Sequence, residues 1–174
     1  LIVDHLSCIN SDGLKVLDDI SFEVRGGEIL GIAGISGCGQ KELLESIAGL
    51  QVTTPESKIA FVGDENEVIN LIGKSPRKIR ELGISLSFVP EDRLGMGLVG
   101  SMGMTENMML RYYSDSKSIF AQTKIPHDLA VKIKNDLEVV TPDIDAPVRT
   151  LSGGNVQKVL VGREIAASPK VLMT

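Results

Sequence analysis

The stretch that most constrains this chain is Glu28–Leu50, EILGIAGISGCGQKELLESIAGL, where an apolar run, a glycine cluster and an amphipathic run adjoin without a spacer. Glu28 to Ala33 is almost continuously apolar, the pattern of a strand covered on both faces in a parallel sheet. Gly34, Gly37 and Gly39 follow within six residues. From Glu42 to Leu50, the residues Leu43, Leu44, Ile47 and Ala48 fall on one face of a helix. Glycines between a buried strand and a helix start let backbone N–H groups curl around a phosphate, with the positive helix end behind them. A strand-turn-helix junction that binds nothing has the same pattern, and the stretch alone leaves that reading open.

In the phosphate-loop consensus G-x-x-x-x-G-K-[ST], the lysine reaches the β- and γ-phosphates and the hydroxyl holds Mg²⁺. With Gly34 and Gly39 on the two glycines, Gln40 stands at the lysine position and Lys41 at the hydroxyl position. One step along a helix turns a side chain by about 100° and raises it by about 1.5 Å. The Lys41 ammonium is therefore expected where a cation's hydroxyl ligand belongs. The backbone cradle survives, while the charge on the γ-phosphate and the metal ligand are impaired.

At 174 residues and 43% hydrophobic content, the chain is one domain's worth and can bury a core. A net charge of −5 with no run of Lys or Arg gives no sign of a nucleic-acid-binding surface. Cys8 and Cys38 lie far apart without metal-ligand spacing, as in a reducing compartment. Cys38, inside the glycine loop, is read as an inert small residue, with redox sensitivity as the alternative. No apolar stretch approaches the ~20 residues of a membrane span, and no signal-peptide pattern is visible. Both ends fall inside apolar strand-like runs, so the chain is read as an excised fragment.

Along the chain, Leu1–Leu6 and Leu17–Val24 read as two strands of an antiparallel pair, and Gly26-Gly27 turns into the loop strand. Ser57–Gly63 is another strand. Ser75–Leu82 is a short helix, with Ser75 as N-cap and Pro76 at its first position. Gly83–Val89 reads as a buried strand ending in Pro90-Glu91-Asp92-Arg93. Gly95, Gly97, Gly100 and Gly103 then interleave with Met96, Met102 and Met104. Thr105 is the expected cap of a helix carrying Met108, Met109 and Leu110. The methionines suit either an adaptable contact surface or core filling. Ser114–Ser118 is a polar turn, and about His127–Val140 is a helix with Leu129, Ile133, Leu137 and Val140 on one side. Thr141–Pro147 is a loop. From Asn155, the residues Val156, Val159, Leu160 and Ile165 keep helical spacing. Ser152, Gly153 and Gly154 therefore stand at a helix N-terminus, exposing N–H groups and a hydroxyl to an anion. An ordinary Ser-capped helix is the plainer alternative. Lys170–Met173 begins a final strand.

The ordered set of the glycine loop at Gly34–Glu42, VPEDR at Val89–Arg93, LSGGN-x-QK at Leu151–Lys158 and the strand at Pro169–Met173 resembles the ATP-binding domain of an ABC transporter. More narrowly, it resembles the second nucleotide-binding domain of the duplicated ATPase subunits that serve simple-sugar or nucleoside importers. The resemblance covers the whole chain. It implies an α/β fold, a P-loop NTPase of the ABC ATPase type with an antiparallel β-subdomain and a helical insertion, C-terminally truncated. The implied parts are a β-subdomain over 1–27, a P-loop core over 28–95, a helical subdomain over 96–150, and the signature helix with the start of a Walker B strand over 151–174.

The same resemblance assigns Gly34, Ile35, Ser36, Gly37, Cys38, Gly39, Gln40, Lys41 and Glu42 to Walker A positions, and Glu91 to the Q-loop position. Leu151, Ser152, Gly153, Gly154 and Asn155 occupy the signature motif, followed by Gln157. Many relatives carry an adenine-stacking aromatic in the β-subdomain; Ser7–Lys15 has none. Val171–Thr174 match the hydrophobic part of Walker B, so no catalytic carboxylate of that kind is present and the fragment alone is not expected to hydrolyse ATP. ABC domains pair head to tail, each ATP lying between one Walker A and the other signature. The implied ligands are ATP and Mg²⁺, the latter held weakly at this loop. The implied partners are a second ABC ATPase domain, transmembrane permease subunits and, indirectly, a periplasmic or extracellular substrate-binding protein, but no nucleic acid. The implied location is the cytoplasmic face of the membrane, peripherally bound. Alternatives are a self-sufficient ATPase using Lys41, a non-transport ABC protein, and a catalytically silent scaffold.

Overall fold

Ile2–Ile9 (β1) and Lys15–Glu23 (β2) pair antiparallel, as their alternation requires, with Ile2 opposite Glu23 and Ile9 opposite Lys15. The computed structural model describes residues 1–10, 12–35, 37–112 and 123–174, which form two units, Leu1–Leu86 and Ser87–Thr174. Ser36 and the expected Ser114–Ser118 turn lie outside the described residues.

In the first unit, Lys58–Val62 (β3) and Val68–Asn70 (β4) complete a four-stranded antiparallel sheet of order β2-β1-β3-β4. Val3, Leu6, Cys8, Leu17, Ile59 and Phe61 are its buried apolar side chains. The glycine loop leads into the helix Gln40–Ile47 (α1), which buries Leu43 and Ile47. That helix ends in a full Schellman closure: the Gly49 N–H donates to Ser46 O at 3.1 Å and the Leu50 N–H to Glu45 O at 2.8 Å. Gly49 sits at φ +76°, a conformation that glycine enters without strain. Ser75 caps the helix Pro76–Glu81 (α2) by accepting the Lys78 N–H at 3.3 Å, as expected.

The expected strand at Glu28–Ala33 does not form. Ile29 is 96% exposed, and Ile32 and Ile35 are exposed as well. The Glu28 N–H turns back to Arg25 O at 3.1 Å, and among the described residues this run belongs to no sheet. Apolar content favours a covered strand, but a strand exists only where flanking strands take up its backbone hydrogen bonds.

The second unit contains Leu86–Phe88 (β5, whose first residue ends the first unit) paired with Val171–Met173 (β6). Its helices are Met104–Tyr112 (α3), Lys124–Asp136 (α4) and Gly153–Ala166 (α5). Leu98, Met104, Met108, Ala130, Ile133, Val139, Val148, Val156, Val159 and Leu160 form one buried cluster. Met104 and Met108 are thus core filler, whereas Met96 is exposed.

Two expected boundaries move. Helix α3 begins at Met104, so Thr105 lies inside it and is not its cap. Glu106 Oε2 instead accepts the Gly103 N–H at 3.0 Å, and the fully buried Asn107 binds Val99 through both N–H and C=O. The end of α4 also shifts: Glu138 adopts φ +50° and the Val139 N–H returns to Lys134 O at 2.9 Å. Val139 therefore enters the core and Val140 is left exposed.

Candidate functional site

The glycine loop lies in the first unit. Gly34, Ile35, Gly37 and Cys38 are exposed, the Cys38 N–H closing a turn onto Ile35 O at 3.2 Å. Gly37 and Gly39 sit at φ +84° and +89°. Gly39 is the residue before α1, and a Cβ there would lie 2.7 Å from Val16 O, so the loop needs glycine for closeness as well as conformation. No side chain caps α1, and the N–H groups of Gln40, Lys41 and Glu42 have no acceptor within the helix. These are the donors a phosphate would use.

The two polar side chains at the consensus lysine and hydroxyl positions face different tasks. Gln40 folds back over the loop, its Nε2 being 2.6 Å from where a Gly34 Cβ would stand. Lys41 turns along the helix, its Nζ being 3.8 Å from Glu45 Oε1. The Glu45 carboxylate is buried and also accepts Gln51 Nε2 at 2.8 Å. Lys41 is thus occupied one turn away from the loop. A phosphate fits the backbone donors; Mg²⁺ does not fit, because no hydroxyl follows Gln40, and among the described residues no acidic, His or Cys cluster could hold a metal.

In the second unit, Glu91 is exposed just beyond β5. Asp92 Oδ1 accepts the Gly95 N–H at 2.8 Å and opens a π-helical turn over Arg93–Gly97. That turn is fastened to α5 at two points. Arg93 Nη1 donates to Gly153 O at 3.3 Å, and Arg163 Nη2 donates to Gly97 O at 2.7 Å.

Ser152 caps α5 as expected. Its Oγ accepts the Asn155 backbone N–H at 3.4 Å and Asn155 Nδ2 at 3.0 Å. Asn155 Oδ1 in turn accepts the Val140 N–H at 3.1 Å, while Lys158 Nζ donates to Glu138 O at 3.1 Å. Ser152, Gly153, Gly154 and Gln157 are exposed, Leu151 and Asn155 half-buried, and the first turn carries no acid. Hydroxyl and backbone donors therefore stand together at a positive helix end, an arrangement suited to a phosphate oxygen.

At the opposite, C-terminal end of α5 lies a buried charged group that motif reading does not reveal. The buried Glu164 carboxylate accepts Arg163 Nε at 3.0 Å and pairs with Arg111 Nη2. Arg111 Nη2 also donates to the buried Ser87 Oγ at 2.7 Å, and Ser87 Oγ donates to Glu164 O at 3.2 Å. Burial pushes the Arg163 guanidinium below its ordinary pKa, opposed by Glu164. The available signal was an Arg-Glu pair inside the otherwise apolar stretch Val159–Ala167.

The family model described as ABC transporter matches residues 17–174. The guanosine import ATP-binding protein NupO of Bacillus subtilis (strain 168) is 36% identical over 178 residues, covering 99% of this chain and 33% of that protein. The xylose import ATP-binding protein XylG of Thermoanaerobacter pseudethanolicus is 39% identical over 165 residues, covering 92% of this chain and 31% of that protein. The chain thus spans about a third of the length of these curated relatives. A solved dimeric ATP-binding cassette in a post-hydrolysis state, bound to ADP and Pi, superposes with a TM-score of 0.77 at 18% identity, covering 98% of this chain and 71% of that one. This likeness shows the fold, that of the ABC ATPase cassettes. With the family model matched from Leu17 to Thr174, the chain belongs to the ABC transporter family.

Proposed function

We propose that this chain is a nucleotide-binding domain of an importer ATPase for simple sugars or nucleosides, and that it is the asymmetric member of a domain pair. Its glycine loop binds nucleotide weakly. Its signature end, Leu151–Asn155, supplies Ser152 and the start of α5 to an ATP held by the phosphate loop of a partner domain. The observation that carries this is the contrast between an open, donor-rich signature end and a loop whose lysine is paired with Glu45. The import proteins among the relatives support the substrate class. The self-sufficient reading would need the Lys41 ammonium to turn from Glu45 back to the loop.

On this reading, Mg²⁺ accompanies the ATP of the partner loop, and ATP hydrolysis belongs to the full assembly. Closure of the two domains around ATP drives permease subunits through the helical insertion and the turn after Glu91. The domain works at the cytoplasmic membrane face, and a substrate-binding protein delivers the cargo to the permease. The test is Ser152→Arg in the full-length importer. A guanidinium in front of α5 fills the space a phosphate needs, so transport is expected to fall to background. Transport at the unsubstituted rate would overturn the reading.

A further inference from the structure

We propose that Asn155 is a positioning residue that fixes the polarity of the Ser152 hydroxyl, holding its proton outward as a donor to a phosphate oxygen. The inference rests on the reading of the signature end given above.

A serine hydroxyl has one proton to give and two acceptor positions. Both acceptor positions of Ser152 are filled, by the Asn155 backbone N–H at 3.4 Å and by Asn155 Nδ2 at 3.0 Å. The direction of the amide is set from its other side. The Val140 N–H, 3.1 Å from Oδ1, can only donate, so the carbonyl oxygen must face it and the NH₂ must face Ser152. A flipped amide would set donor against donor at Val140. The Ser152 proton is then left one direction, away from Asn155.

The surroundings say what it meets there. A Cβ on Gly154 would touch nothing within 4 Å, and one on Gly153 would meet only Arg93 Nη1 at 3.7 Å. Beside the hydroxyl stand the first N–H groups of α5 and the Arg93 guanidinium, which donates to Gly153 O. The third helical position commonly carries a side chain that reaches back to the cap's own N–H. Here Asn155 reaches the cap oxygen and the residues beyond α4 instead. The donor state of Ser152 thereby depends on where the end of α4 lies.

Asn155→Asp separates this from a purely structural role. The carboxylate can still accept the Val140 N–H, but its second oxygen must accept the Ser152 proton and turn it inward. An acid in the first turn suits the helix end, so the variant keeps its fold, which circular dichroism checks. The readout is the response of the Gly153 and Gly154 amide resonances of the full chain to titration with inorganic phosphate. Four proteins are compared: unsubstituted, Ser152→Ala, Asn155→Asp and both together.

One hydrogen bond to an anion is worth about tenfold in affinity, so Ser152→Ala is expected to weaken phosphate by that factor. Asn155→Asp is expected to weaken it more, and its penalty to shrink about tenfold when Ser152 is already alanine. Equal penalties of Asn155→Asp with and without Ser152 would overturn the relay while leaving the anion site standing. No response of the Gly153 and Gly154 amides to phosphate in the unsubstituted chain would overturn the anion site and the relay together.

Discussion

Glu164→Leu is expected to destabilise the chain by about 3 kcal/mol, the cost of removing one partner from a buried ion group. The carboxylate neutralises Arg163 and Arg111 at once, and among the described residues neither guanidinium pairs with another carboxylate. Arg111 is about one-third exposed and Arg163 keeps its bond to Gly97 O, which holds the cost at the lower end of the usual range. The urea midpoint, followed by helical circular dichroism, measures it. A companion variant separates charge from packing. Replacing Arg111 and Arg163 by methionine together with Glu164→Leu removes the stranded charges and is expected to recover most of the loss, leaving about 1 kcal/mol for the orphaned Gly97 carbonyl. A single-variant cost under about 1 kcal/mol would mean that water already screens the group. The group also joins α5, the turn after Glu91, β5 and α3 into one connected set of polar contacts.

Gly49→Ala is expected to cost about 3 kcal/mol, from left-handed strain plus overlap with packed backbone. At φ +76° an alanine is already strained, and its Cβ would overlap the Lys74 carbonyl oxygen and crowd Ile79 Cδ1 at 3.3 Å. Neither neighbour gives way cheaply, since one is backbone and the other belongs to the buried Ile79. The damage falls on the closure that ends α1, the helix that follows the glycine loop. Loss of helical signal together with a lowered urea midpoint is the expected result. A midpoint within about 0.5 kcal/mol of the unsubstituted chain would show that the Lys74 segment relaxes freely.

Local signals proved legible where one residue decides a local hydrogen bond. Ser75 before Pro76 and Ser152 before two glycines each mark a cap that the structure contains. The β1–β2 pair was legible from alternation, and the motif set carried the family. Elements decided by distant partners were not. Glu28–Ala33 has the composition of a covered strand but no ladder, and ladders are not written in the strand itself. Thr105 resembles a cap, yet Glu106 and Asn107, by binding Gly103 and Val99, set the helix start two residues earlier, at Met104. The end of α4 was misplaced for a similar reason: Glu138 enters a left-handed turn that a non-glycine residue seldom signals.

The candidate site divides the same way. Gln40 and Lys41 were legible as departures from the loop consensus, and their consequence became concrete with Lys41 beside Glu45. Asn155 was legible only as one letter of the LSGGN run. Its bond to Val140 spans 15 residues, and no spacing rule predicts it.

Calorimetry of Mg-ATP binding reads the asymmetry between loop and signature end. The chain is compared with its Gln40→Lys/Lys41→Ser variant, which restores the lysine and the metal-binding hydroxyl. The account predicts that the variant binds at least about tenfold more tightly, the worth of one hydrogen bond to a charged phosphate, and that only the variant depends on Mg²⁺. Tight, Mg²⁺-dependent binding by the unsubstituted loop would contradict it, because Lys41 would then have left Glu45 to serve the phosphates.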